Sequence, residues 1–217
     1  MELTDILGYV VAAALVLVVV VVGALLGVRQ WRQRSAALTQ WAQRHGWTFE
    51  PKVPQLTQRW KEHPIRGAGS ATHVLRGTVA EGAITSFTSH VTIAGSSSTT
   101  TRHVTVLEAP AVLPTVVAAS PSAPVPNPHP PHDVDLADPH FTWTVVTTSP
   151  EAAGEVRRLL SSDVRDRLMQ EAVSLHTVYL TFEGRDIILT TAGSLDVDRL
   201  EHRVSLIRDL ARMMRVG

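Results

Sequence analysis

The chain has 217 residues carrying 20 Lys and Arg against 20 Asp and Glu, and it contains no cysteine. A formal charge of zero gives no general pull toward nucleic acid, and no basic stripe interleaved with aromatics takes its place, so no nucleic-acid partner is expected. The missing cysteines exclude disulfides and thiolate chemistry in any compartment.

Between Asp5 and Arg29 no residue is charged, and the run from Ile6 to Val28 reads ILGYVVAAALVLVVVVVGALLGV. As a helix this run is roughly 34 Å long, enough to cross a hydrocarbon core of about 30 Å. A cleaved signal peptide fits poorly, because the start is acidic at Glu2 and Asp5 and the run ends in VRQWRQR. A buried core helix fits worse, since globular helices seldom exceed about 20 residues without a polar face. Arg29, Arg32 and Arg34 follow the run and no Lys or Arg precedes it. Basic flanks resist translocation, so residues 1–28 read as a tail and single transmembrane helix of a cell-membrane protein, N-terminus outside and the remainder cytoplasmic. The lipid bilayer is therefore an expected partner. The only asparagine, Asn127, precedes proline, so no glycosylation acceptor exists.

Residues 29–45 read as a juxtamembrane helix, with Trp31, Leu38 and Trp41 at helical spacing and Gly46 at the place of a left-handed cap. Two readings of the stripe stand side by side. It packs on the domain that follows, or Trp31 lies at headgroup level while Arg29, Arg32 and Arg34 attract anionic lipid at about 1 kcal/mol each.

Residues 46–217 are long enough for an ordinary domain with a sizeable core. Trp47 and Phe49 alternate as in a strand, and VPQLTQRW predicts a short helix with Pro54 in its first turn. Leu75, Gly77 and Val79, then Phe87, Val91 and Ile93, recur at period two around Glu81-Gly82, which predicts an antiparallel hairpin. A polar loop from Gly95 to Arg102 leads to a third strand at His103 to Glu108, and Pro110 and Pro114 are expected to interrupt its pairing. The stretch 120–133 holds six of the 13 prolines and reads as a stiff linker between two halves or a long surface loop within one domain, the loop being favoured because each half leaves strand edges that the other could complete. Phe141 to Thr148 reads as a strand, followed by a helix from Ser149-Pro150-Glu151 to Leu160 and another from Ser162. Thr177 to Phe182 and Asp186 to Thr191 are predicted as a hairpin turning at Glu183-Gly184-Arg185. A last helix from Val197 to Met214 carries Leu200, Val204, Ile207, Ala211 and Met214 on one face, with Glu201, Arg208 and Arg212 opposite. The fold class is α+β: one N-terminal transmembrane helix followed by an antiparallel-sheet domain with helices packed on it.

The order Trp41-Ala42, His45-Gly46-Trp47-Thr48-Phe49, Asp138-Pro139-His140-Phe141, Glu183 to Leu189 and Gly193-Ser194-Leu195-Asp196 resembles a group of actinobacterial membrane-anchored proteins without an assigned activity. The resemblance spans most of the chain and implies an architecture. It carries over no catalytic residue.

One constellation suits a metal. His129, His132, Asp133, Asp135, Asp138 and His140 lie close in sequence, and imidazole with carboxylate is the ligand set of zinc, nickel or copper. A proline-rich loop does not converge three ligands, so His129, His132 and His140 are weak candidates and no metal or other cofactor is expected. His73, His90 and His103 sit on strands, where a polar face accounts for them. Gly67-Ala68-Gly69 lacks the third glycine and preceding strand of a dinucleotide fingerprint, and Asp196 with Asp198 reads as a helix cap. The sequence thus predicts a membrane-anchored binding or scaffolding module with a protein partner. The alternative is a membrane-tethered hydrolase or metal-dependent enzyme.

Overall fold

The computed structural model describes residues 3–62, 64–65, 68–92, 99–123, 132–175 and 178–216. Helix α1 runs unbroken from Leu3 to His45. Its length follows from the absence of any breaker before Gly46, whose φ of +69° ends it. There the Trp47 N–H donates to the Ala42 carbonyl at 2.8 Å and the Gly46 N–H to that of Gln43 at 3.5 Å, the paired bonds of a Schellman cap. The apolar stretch is long enough to cross a membrane, and from Leu15 to Val28 its side chains are covered by nothing in the chain. Further along, Leu38, Trp41 and Ala42 are buried in the main core. One rigid rod therefore joins a lipid-type surface to a packed one.

An antiparallel sheet follows: β1 (Thr48–Val53), β2 (Ala71–Val79), β3 (Gly82–Thr92), β4 (Thr99–Ala119), β5 (His132–Asp133), β6 (Thr144–Thr147) and β7 (Val178–Ala192). β4 and β7 are its long axis. The first half of β4 lies between β3 and β7, and its second half between β6 and β7. Two arms thus share one bent strand pair. At the bend the β4–β7 register shifts on both sides of Leu113, which faces Gly184 at φ +62°. Pro110 and Pro114 supply no ladder N–H, and the Arg185 side chain donates to the Ala109 carbonyl at 3.0 Å.

This bend corrects the hairpin expected at Glu183-Gly184-Arg185. β7 is one strand, and its glycine serves a bulge opposite the prolines, where left-handed backbone is also required. The prolines disturb the register but do not end β4. The strand expected over Phe141 to Thr148 shortens to β6, and VPQLTQRW forms only a 3-10 turn at Leu56–Arg59. That turn is held from the side: buried Asp186 accepts from the Trp60 indole at 2.7 Å and from Arg59 at 2.8 Å. Glu183 meanwhile accepts from the backbone N–H groups of Lys61 and Glu62. The proline-rich stretch ends in β5, an edge strand on β6, and its residues 124–131 lie outside the described residues.

Helices α2 (Ala153–Leu159), α3 (Ser162–Leu175) and α4 (Val197–Met213) pack with the end of α1 on one face of the sheet. The opposite face is covered by Trp60 and Ile65 against Val74, Phe87, Val104, Val106 and Ile188. On α4 the expected stripe is buried, and Asp196 caps the helix by accepting from the Asp198 N–H at 3.2 Å. Arg208 and Arg212 were expected to face solvent. Arg212 is exposed and Arg208 half-buried, and both also hold the Glu81 carboxylate at the β2–β3 turn, each donating from Nε at 2.6 Å.

Candidate functional site

Two places on the helix-covered face bring together groups that packing alone does not require. The first is a cleft of about 320 Å³ between α1, β2 and α4. Trp41 and His45 come from the last turn of α1, stacked with centroids 4.0 Å apart. The Schellman cap turns the chain so that Trp47 meets Trp41 edge-on, at 5.2 Å and 82°. Glu201 on α4 accepts from the Trp41 indole at 3.2 Å and lies 3.6 Å from His45 Nε2. Val79, Val204, Ser205 and Arg208 complete the lining. Trp47 reaches its place only because residue 77 is glycine, since a β-carbon there would lie 2.4 Å from the indole. The Glu201 carboxylate, largely open to solvent and backed by the two indoles, suits a cation, whose charge the acid favours. Arg208 does not oppose this, because Glu81 and Asp209 together balance Arg208 and Arg212; the Arg208 hydrogen bond in turn holds the Glu81 carboxyl below its usual range.

The second place is a buried polar layer nearer the apolar end of α1. Ser86, Thr88, His103 and Thr105 lie on the sheet face that the helices cover, and all are buried. The Ser86 hydroxyl is 2.6 Å from His103 Nε2 and 3.1 Å from the Thr105 hydroxyl. Thr88 accepts from the Leu195 N–H at 2.8 Å, which ties the loop before α4 to β3. Ser86 and His103 have the spacing of a nucleophile and its base, but His103 Nδ1 has no partner and both residues are closed to solvent. A nucleophile needs an oriented base and room for an acyl group, so this pair does not constitute a hydrolytic site.

His73 is the least satisfied member of this region. It is 4% exposed, sits at φ +53° where β2 bulges against β3, and neither ring nitrogen has a partner. Burial first, then the charges of Arg34 and His90, press its pKa below the usual histidine value. Arg203 is a further orphan. It is 2% exposed among the sheet-facing residues of α4, its Nε and Nη1 lack partners, and burial lowers its pKa to about 10.

The histidines therefore correct the expectation that strand histidines lie on a polar outer face. Both faces of this arm are covered, so period-two alternation buries His103 and the β2 bulge buries His73. The buried layer had one legible signal, the run of Ser, Thr and His alternating with apolar residues. Arg203 had none beyond its place in an apolar arc.

The weak metal candidates do not assemble. Among the described residues no three His, Asp or Glu side chains are grouped to hold a metal. His132 lies in β5 and His140 is exposed, while His129 lies outside the described residues. Asp135 and Asp138 are occupied by their own turns, accepting from the N–H groups of Ala137 and His140. Of the membrane-proximal basic residues, Arg29 and Arg32 are exposed, and Arg34 donates to Ser194 Oγ at 2.8 Å.

An antiparallel α+β domain carried on an apolar helix is the class that this fold defines. No family model matches the chain, and no curated protein matches it. Among solved structures, it is similar to the crystal structure of the mycobacterial trehalose monomycolate transport factor A, TtfA. The TM-score is 0.63 at 17% identity, over 84% of this chain and 96% of that one. At that identity the likeness is one of fold. It also agrees with the actinobacterial resemblance of the sequence.

Proposed function

We propose that the chain is a membrane-anchored accessory factor that binds a partner protein at the bilayer surface and catalyses no reaction of its own. The observation that supports this is the continuity of α1, whose uncovered apolar part and buried last turns form one helix. A domain fixed in this way holds its cleft at a set height, about 20 Å beyond Val28 for Trp41 at 1.5 Å per residue. The three arginines after the apolar run favour an N-terminus outside and a cytoplasmic domain. In the cleft, Trp41, Trp47 and Glu201 suit a lysine or arginine side chain of the partner. Because the similar fold belongs to a transport factor, a membrane transport protein is the first partner class to test.

Two experiments test this reading. A phosphatase active only outside the cytoplasm, fused at Gly217, should be inactive; an active fusion overturns the orientation. A photo-crosslinking residue at exposed Ser205 should give one discrete adduct in native membranes, lost in Glu201→Lys. An adduct unaffected by Glu201→Lys overturns the cleft as the docking place.

A further inference from the structure

The side chains around His73 combine three features that no packing requirement explains: an unsatisfied buried imidazole, the Arg34 guanidinium acting on it, and a position near the level of lipid headgroups. Trp31 lies over the imidazole, with centroids 5.8 Å apart, and Phe49 flanks it at 6.3 Å. Trp31 is 47% exposed and is the more open of the two rings against the histidine. The charges that act on His73 are those of Arg34 and His90, and no carboxylate is among them. His90 is fixed by Thr101, whose hydroxyl is 3.3 Å from its Nδ1. Arg34 spends one N–H on Ser194, and among the described residues its guanidinium makes no other hydrogen bond. Arg29 and Arg32 project from other sides of α1, since turns of about 100° per residue place only Arg34 beside the sheet.

Depth follows from the helix. Trp31 stands about 4.5 Å beyond Val28, within a headgroup layer of about 5 to 8 Å on each side of the hydrocarbon core, and Arg34, at about 9 Å, stands just outside that layer with a side chain that tilts back toward it. A neutral histidine offers one N–H, a guanidinium offers several in a planar fork, and a phosphate oxygen accepts from both. We propose that Arg34, His73 and His90, beneath Trp31, form a binding site for the phosphate of an anionic lipid headgroup. This rests on the reading that α1 spans the bilayer. The site engages one lipid stoichiometrically, which general attraction to a charged surface does not.

The test is native mass spectrometry of the full chain released from bilayer discs of mixed phosphatidylglycerol and phosphatidylcholine. The intact chain should retain one phosphatidylglycerol in preference to phosphatidylcholine. Arg34→Gln and His73→Phe should each lower that retention about tenfold. Arg32→Gln, which removes the same charge at similar depth on another side of the helix, should lower it less than about threefold. His73→Phe changes no charge at neutral pH, so it separates a site from general attraction; if it does not fold, exposed Arg34 carries the test. Equal losses for Arg32→Gln and Arg34→Gln, or no headgroup preference, overturn the proposal. Displacement of the lipid by excess inorganic phosphate would mark a site for free phosphate and overturn the lipid assignment. Flotation with phosphatidylcholine vesicles separates the failures: a chain that floats without headgroup preference lacks this site, and one that does not float overturns the anchoring on which it rests.

Discussion

The two ends of the helix-covered sheet face are built differently. Away from the apolar end of α1, Ile84, Leu107 and Ile187 lie among Leu200, Ile207 and Leu210, and the Glu81 carboxylate is claimed by two arginines. Toward the apolar end, Ser86, Thr88, His73 and His103 are buried, and several of their polar atoms are unpaired. Burying a polar group without a partner costs about 1 to 3 kcal/mol, so the second arrangement is worse for stability. Stability is concentrated at the far end, and unsatisfied binding capacity at the membrane end.

The largest effect that tests this contrast belongs to Ile207, fully buried on α4. Ile207→Ala should destabilise the full chain in detergent by about 2 to 5 kcal/mol in chemical denaturation, as cavities in packed cores do. An unchanged midpoint would mean that the far end is not the stable one.

Arg203 breaks the contrast, because it places a cation with two unsatisfied donors, Nε and Nη1, within the apolar arc. Arg203→Met keeps the volume and removes the charge, so it should stabilise by about 1 to 4 kcal/mol. The sign follows from the lowered pKa: the folded state disfavours the protonated guanidinium at every pH below about 10, and Met has nothing to desolvate. A destabilised Arg203→Met variant would reveal an anionic or carbonyl partner for this residue.

How far the sequence could show this contrast depends on period. α1 and α4 were legible because an apolar run and a 3.6-residue stripe each have one explanation. The β2–β3 hairpin at Glu81-Gly82 was legible for the same reason, and the pairing of Val79 with Gly82 matches it. The β7 region was not. Glu183-Gly184-Arg185 carries a turn signal, and only the partner strand's prolines, some 70 residues upstream in sequence, make it a bulge. Burial of His73 and His103 was hidden similarly, since it depends on which segments cover each face. The cleft joins Trp41, Trp47 and Glu201, whose spacing in sequence gives no hint of contact.

Gly77 tests the cleft alone. The Trp47 indole occupies the space of its missing side chain, so Gly77→Ala should cost about 1 to 3 kcal/mol by overpacking. It should also abolish crosslinking from position 205, while leaving lipid retention at His73 intact. Loss of both readouts together would show that the two ends are mechanically coupled and not separate.

The smallest expected effect concerns Glu81 and pH. Its carboxyl is held below the usual range, first by the Arg208 hydrogen bond, with Arg212 adding to it. A carboxylate with a depressed folded pKa contributes stability that is complete above its unfolded value of about 4.5 and lost as pH falls through the folded one. Both arginines are partly exposed, so solvent screening limits the pairing, and Glu81→Gln should cost only about 1 to 2 kcal/mol at pH 7. Below the folded pKa of Glu81 the intact chain and the variant should converge, because each then presents a neutral group to Arg208 and Arg212. His73 has the same sense in a higher window: burial first, then Arg34 and His90, disfavour its protonation in the folded state, so stability falls as pH drops through its unfolded value near 6.5. Melting temperatures taken from pH 8 to 3 therefore separate the ends. A loss near pH 6 that His73→Phe removes belongs to the membrane end, and a loss below pH 4.5 that Glu81→Gln removes belongs to the far end. If Glu81→Gln leaves the acid limb unchanged, the two arginines do not hold that carboxylate, and the far end owes its stability to apolar packing alone.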